Sequence, residues 1–262
     1  MMNVFAAAWQ LTCYQLLSKK RLWLTAIFFL LPIVIAVAIR NAGRINLELT
    51  YPRMLGGVLA SVLIPFVALF WGTALLTDEI EGKTLVYLWT RPKGRGMLFA
   101  ARALMLGIWL AILSFVAAAS AYTGIFLGQR DFDFASNFLM VLWDTRALAL
   151  GAATYAAAGL LLAALFKRPF VIGLIYVYAL DGAAQFLPGF LKKLSVRHQM
   201  LSLATHAETA RPRGILKLLD QSNTPETEAI LTLVIVACVM TAIGIYILLN
   251  REFLGDDPAR TQ

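Results

Sequence analysis

Residues 78–102 read DEIEGKTLVYLWTRPKGRGMLFAAR, the one charged, motif-like segment between two long apolar runs. Leu85, Leu88 and Trp89 form one apolar face over one or two helical turns, and Pro92 stops that helix. Glu79 and Glu81 place negative charge near its start, where a helix dipole favours it. Lys93, Arg95 and Arg102 close the stretch with positive charge. So short a helix is not stable alone and needs a membrane surface or a protein groove to lie on. The stretch reads as a cytoplasmic handle joining two membrane spans.

Composition places the handle in a membrane protein. The chain has 262 residues, 60% of them hydrophobic and only 15% charged, with a mean hydropathy of +0.74. A soluble globular chain holds apolar content nearer half and charge near a quarter. The net charge of +8 would suggest nucleic acid in a soluble protein, but here the bases cluster at the ends of apolar runs, where they anchor and orient spans. No nucleic-acid partner is expected. Cys13 and Cys238 lie in different segments and are expected as free thiols, and His198 and His206 have no companions at metal-ligand spacing.

Working outward, the fold class is an all-α polytopic membrane protein, one transmembrane domain over residues 1–262. Residues 3–18 carry Phe5, Trp9, Thr12 and Leu16 at helical spacing before Lys19-Lys20-Arg21, the pattern of an N-terminal interfacial helix; a frayed tail is the alternative. No cleavable signal is expected. Six transmembrane helices are expected at about 22–39, 54–76, 98–127, 147–166, 170–190 and 229–249. Pro32 and Pro65 fall within the first two, and Arg102, near the start of the third, is expected to snorkel. Asp131, Asp133 and Asp144 make the loop before the fourth acidic.

The fourth run is rich in small residues: Gly151, Tyr155 and Gly159, with Ala152 and Ala156, and Ala153 and Ala157, four apart. Such faces let helices approach closely, either within the subunit or across a dimer. The fifth run is broken by Asp181, Gly182, Gln185 and Pro188-Gly189. A helix to about Leu180 is expected there, then a turn and a broken or re-entrant segment. Asp181 is an ionisable group well inside a span, so it is a candidate for the pathway or a gate; solvation by freed backbone amides near a helix break is the competing account.

Six spans put both termini on one side of the cell membrane, and Lys19, Lys20, Arg21, Lys83, Arg91, Lys93, Arg95, Lys167 and Arg168 argue that this side is cytoplasmic. Lys192, Lys193, Arg197, Arg211, Arg213 and Lys217 argue back from the opposite side.

From Glu79 through Glu81-Gly82-Lys83-Thr84-Leu85 to Arg91-Pro92 and Arg95, the opening stretch resembles the ATP-binding-cassette type-2 exporter permeases. The resemblance is close over about twenty-five residues, and the six-span plan with a broken fifth helix extends it loosely over the chain. The chain has Lys93-Gly94 where the family often has Ser, and Arg102 where it often has Lys. The resemblance implies a cytoplasmic coupling helix between spans two and three, docked on an ATPase subunit through Glu79, Glu81, Thr84, Leu88, Trp89 and Arg91. It implies a second permease subunit, the same chain or a related one, and ATP and Mg on the partner ATPase, with no cofactor in this chain and no chemistry of its own. No stretch fits a Gly-rich loop ending in Gly-Lys-Ser or Gly-Lys-Thr with the earlier glycine in place, so the energy is expected from another polypeptide. A secondary transporter or channel is the alternative, and an amphipathic loop helix resting on lipid is the alternative for the handle. The apolar pathway is compatible with lipid, drug, peptide or a lipid-linked molecule.

Overall fold

In lipid every backbone N–H and C=O must find its partner inside the chain, so long apolar runs fold as long helices. The computed structural model describes residues 9–10, 12–16, 19–41, 47–81, 94–126, 134–184, 190–204 and 225–250, and among these there is no strand. Among the described residues, eight helices follow the short N-terminal helical stretch 12–16. They are α1 (Lys19–Asn41), α2 (Leu47–Met54, then π-helical turns Leu55–Leu63, then Ile64–Glu81), α3 (Gly94–Phe126) and α4 (Phe134–Leu165). After them come α5 (Pro169–Ala184, with π-helical turns Tyr176–Asp181), α6 (Phe190–Leu194), α7 (Val196–Leu203) and α8 (Glu226–Asn250).

Within α2, α3, α4 and α8 the segments Thr50–Asp78, Gly96–Phe126, Phe138–Leu165 and Glu226–Asn250 are long and apolar enough to cross a membrane. The chain is a multi-pass, all-α membrane protein. Helix α5 is apolar but short, and its 16 residues from Pro169 to Ala184 rise only about 24 Å, less than the roughly 30 Å of a hydrocarbon core.

Helices α2 and α4 form the centre. Of the apolar windows of these two, 72% and 67% is buried inside the subunit, against 11% for α8, whose Leu231, Ile235, Val239 and Tyr246 face outward. Lipid offers no hydrophobic drive for helices to associate, so close approach of backbones does the work. Gly72 on α2 meets Gly159 and Ala156 on α4 so closely that a Cβ at Gly72 would stand 2.6 Å from the Ala156 carbonyl oxygen. The small-residue stripe of α4 therefore packs inside the subunit, with Ala152, Ala156 and Tyr155 buried. Gly244 on α8 likewise admits the ring of Phe99 on α3, which a Cβ there would overlap.

Pairings fix the directions. Tyr51 meets Asp144 and Gly72 meets Gly159, so α2 and α4 run parallel. Helix α5 runs against α2, with the Phe170 ring edge-on to Phe66 at 5.4 Å and the Tyr178 hydroxyl donating to the Val62 carbonyl at 3.1 Å. One end of the bundle carries Glu81, Gly94 and Leu165; the other carries Tyr51, Asp144 and Glu226.

Several helices extend past the apolar stretches expected as spans. Asp144 is not in a loop: it lies fully buried in α4, which starts at Phe134, while Asp131 and Asp133 fall outside the described residues. Arg53 sits exposed on the first turns of α2. Arg102 does not snorkel; it is 0% exposed on α3. Helix α5 continues through Asp181 to Ala184, and the expected break at Gln185 and Pro188-Gly189 falls on residues outside those described. Of the N-terminal stripe, Thr12 and Leu16 are buried while Gln10 and Tyr14 are exposed, so this segment presents one face to the bundle. Cys13 points the same way, its Sγ 3.9 Å from Met105 Sδ.

Candidate functional site

A carboxylate in an apolar helix must find donors, because burying it unsatisfied costs far more than a hydrogen bond returns. Asp181 closes the π-helical turns of α5 and is 5% exposed. Its Oδ1 accepts the backbone N–H of Val196 at 3.0 Å, and its Oδ2 accepts the N–H of Arg197 at 3.3 Å and the hydroxyl of Tyr155 on α4. The two amides open α7, where four N–H groups have no intrahelical partner and the dipole favours negative charge. Ser195 supplies the local cap: it is extended at φ −66°, ψ 124°, and its Oγ accepts the His198 N–H at 3.2 Å. The first three amides of α7 are thus each bonded by a side chain, two of them from another helix.

Helix α7 is seated as well as capped. Val196, Met200 and Leu203 are buried, and the Met200 thioether occupies the notch left by Gly151 on α4, in the space a Cβ would take. Polar ties surround this seat. Lys193 of α6 pairs with Glu228 of α8 at 3.1 Å, and Arg146 of α4 pairs with Glu226 of α8 while lying 4.3 Å above the Trp143 ring. Thr154 Oγ1 donates to the Leu233 carbonyl at 3.3 Å, joining α4 to α8 about two turns deeper than the Arg146–Glu226 pair.

A second buried pair lies nearer the Glu226 end. Tyr51 donates its hydroxyl to Asp144 Oδ2 at 3.1 Å, and its ring stands edge-on to Tyr122 at 5.4 Å. The two π-helical segments also meet, through Tyr178 of one and the Val62 carbonyl of the other. Wide turns of this kind are frequent at functional places in helices.

Of the residues expected to dock an ATPase, Glu79 and Glu81 lie in the last turn of α2, with Asp78 exposed beside them. Both belong to α2, which is described to Glu81. Thr84, Leu88, Trp89 and Arg91 fall outside the described residues. The sequence pointed to Asp181 but not to its partners. Ser195 before Val-Arg-His carries the signature of a helix start and could have marked α7. The Tyr155 and Tyr51 contacts, 26 and 93 residues distant from their aspartates, leave no local signal.

A family model described as "ABC-2 family transporter protein" matches residues 15–180, which takes in α1 and runs on into α5, stopping one residue before Asp181. No curated protein matches the chain.

Proposed function

The chain belongs to the ABC-2 transporter family as a membrane-spanning permease component, and from that premise we propose that it exports its substrate under the drive of a separate cytoplasmic ATPase. The observation that carries this reading is the charge at the end of α2. Glu79 and Glu81 stand in the last turn, at the negative end of the helix dipole, where acidic side chains are disfavoured by about 0.3–1 kcal/mol. Helix stability does not account for them. An external partner with basic groups does, and residues 85–89 follow directly with an apolar face to rest on it.

In this reading residues 82–93 form a coupling helix, and Glu79, Glu81, Thr84, Leu88, Trp89 and Arg91 contact the ATPase. Movement of the ATPase is passed to α2 and α3 as a rigid shift. ATP and Mg reside on the partner, and this chain performs no chemistry. Six spans, α1 to α5 and α8, place both termini on the cytoplasmic side of the cell membrane, with α6 and α7 folded back into the bundle as a re-entrant segment. A second permease, a copy or a related chain, completes the pathway.

Two measurements test this. The solubilised protein is expected to retain an ATPase, and transport is expected to stop without ATP; transport that persists without ATP makes the chain a secondary transporter or channel. Glu79→Ala and Arg91→Ala are expected to leave insertion intact and lower coupled ATP hydrolysis. Normal coupling in both would return the segment to a lipid-resting loop helix.

A further inference from the structure

We propose that the exposed face of α2 at the Tyr51 end of the bundle is a seat for one anionic phospholipid, its phosphate on Arg53 and one acyl chain laid over Gly57 toward Tyr178. From Tyr51 to Phe70, Arg53, Gly57 and Val62 alone are exposed, and they stand four and five positions apart. The longer step falls in the π-helical turns Leu55–Leu63, whose bonds close five residues on, so the three share one face. The face continues as the half-buried Phe66 and Phe70, and there α5 covers it: the Phe170 ring stands edge-on to both, at 5.4 and 6.1 Å. Tyr178, 43% exposed, donates its hydroxyl to the Val62 carbonyl and marks where the cover ends. Three positions on, α5 gives its carboxylate, Asp181, to α4 and α7 instead.

Depth matches this face to one leaflet. Ile64 is the middle residue of the apolar segment Thr50–Asp78, so Val62 lies near mid-membrane. Arg53, 11 positions from Ile64, stands about 15 Å from that level, allowing for the smaller climb of π-helical turns. Half of a hydrocarbon core is also about 15 Å, which puts the guanidinium where lipid phosphates begin. Arg53 is held by no acidic side chain among the described residues, and a guanidinium binds phosphate through two parallel N–H bonds. Below it a Cβ at Gly57 would meet nothing within 4 Å, so a chain can lie against the helix backbone there. A basic side chain alone attracts any anionic headgroup; the missing side chain beneath it gives the attached acyl chain a fixed place. A second copy laid on the same face would bring its arginine to a surface with no acidic group to receive it.

The seat does not depend on coupling to an ATPase, so the test uses the full chain alone in lipid nanodiscs. Phosphatidylglycerol or phosphatidylcholine carrying a photoreactive acyl chain is supplied, and the labelled residues are mapped. Labelling of residues 57–62 and of Tyr178 is expected to be about fivefold stronger with phosphatidylglycerol, the effect of one basic side chain at a charged surface. Arg53→Gln is expected to erase that preference. Gly57→Leu has room for its side chain and is expected to cut labelling of Tyr178 about threefold, as when roughly one methylene of contact is lost. The exposed Leu231, Ile235 and Val239 of α8 are the reference in the same sample: their labelling is expected to be equal with both lipids and unchanged in both variants, which also reports that the variants are inserted. Equal labelling of residues 57–62 by the two lipids, or a preference that survives Arg53→Gln, means ordinary surrounding lipid and overturns the seat. Gly57→Leu without effect on Tyr178 overturns it too. Little labelling at residues 57–62, together with disulfide cross-linking of Gly57→Cys between two chains, means that a second copy covers the face and likewise overturns it.

Discussion

Gly72→Ala tests whether α2 and α4 are held at backbone contact. The new Cβ would lie 2.6 Å from the Ala156 carbonyl oxygen and 3.2 Å from the Cα atoms of Ala156 and Gly159. All three are main-chain atoms of α4, so no rotamer change relieves the overlap and the helices must part. Overpacking of this kind costs about 1–3 kcal/mol, and an obstacle that cannot turn aside places it near the upper figure. Alanine recovers roughly 0.5–1 kcal/mol over glycine in a helix, leaving a net loss of about 2 kcal/mol. That is roughly a thirtyfold shift in the folding equilibrium. Gly57→Ala is the matched control: it lies on the same helix, a Cβ there meets nothing within 4 Å, and a small gain is expected. Unfolding in mixed micelles, followed by the fluorescence of buried Trp71, reads both variants. Equal midpoints for Gly72→Ala and Gly57→Ala would refute backbone contact as what holds the centre together.

Three further outcomes concern other pairs. Tyr51→Phe removes the hydroxyl that Asp144 accepts and is expected to lower stability by about 1–3 kcal/mol in the same unfolding assay. Arg146→Ala and Glu226→Ala, taken singly and together, are expected to show a coupling of no more than about 1 kcal/mol that shrinks with added salt, because Glu226 is half exposed. Gly244→Ala drives a Cβ into the Phe99 ring, and Phe99→Leu is expected to restore much of the lost stability in the double variant, since the obstacle there is a side chain.

Hydropathy was enough to read an all-α membrane protein, and the charged handle was enough to read its family. The reason is that both signals are local: a long apolar run has few ways to satisfy its backbone in lipid, and the handle's residues lie within twenty-five positions. What escaped was the content of contacts between distant helices. Asp144 reads as a loop residue because a carboxylate interrupts an apolar pattern, and a partner that helps make its burial in α4 tolerable, Tyr51, lies 93 positions away. Arg102 reads as snorkelling because it stands near a helix start, yet the bundle closes over it. Gly151 and Gly159 announced close packing without saying against what; the answers, Met200 and Gly72, lie on two different helices. Asp181 was conspicuous alone in the fifth run, but amides carry no side-chain signature, so the two from α7 were invisible.

The wide turns in α2 bear on how two parallel helices of unequal count stay matched. Tyr51 and Gly72 are 21 positions apart on α2, while their partners Asp144 and Gly159 are 15 apart on α4. At about 1.5 Å per residue those separations would be about 32 Å and 23 Å in regular helices. The length of the tyrosine side chain and any tilt absorb part of the excess. Residues 55–63 absorb more, because a turn closed five residues on holds more chain for the distance it climbs. The segment acts as slack taken up between two fixed points, so lengthening or shortening it by one residue would throw either the tyrosine or the glycine off its mark.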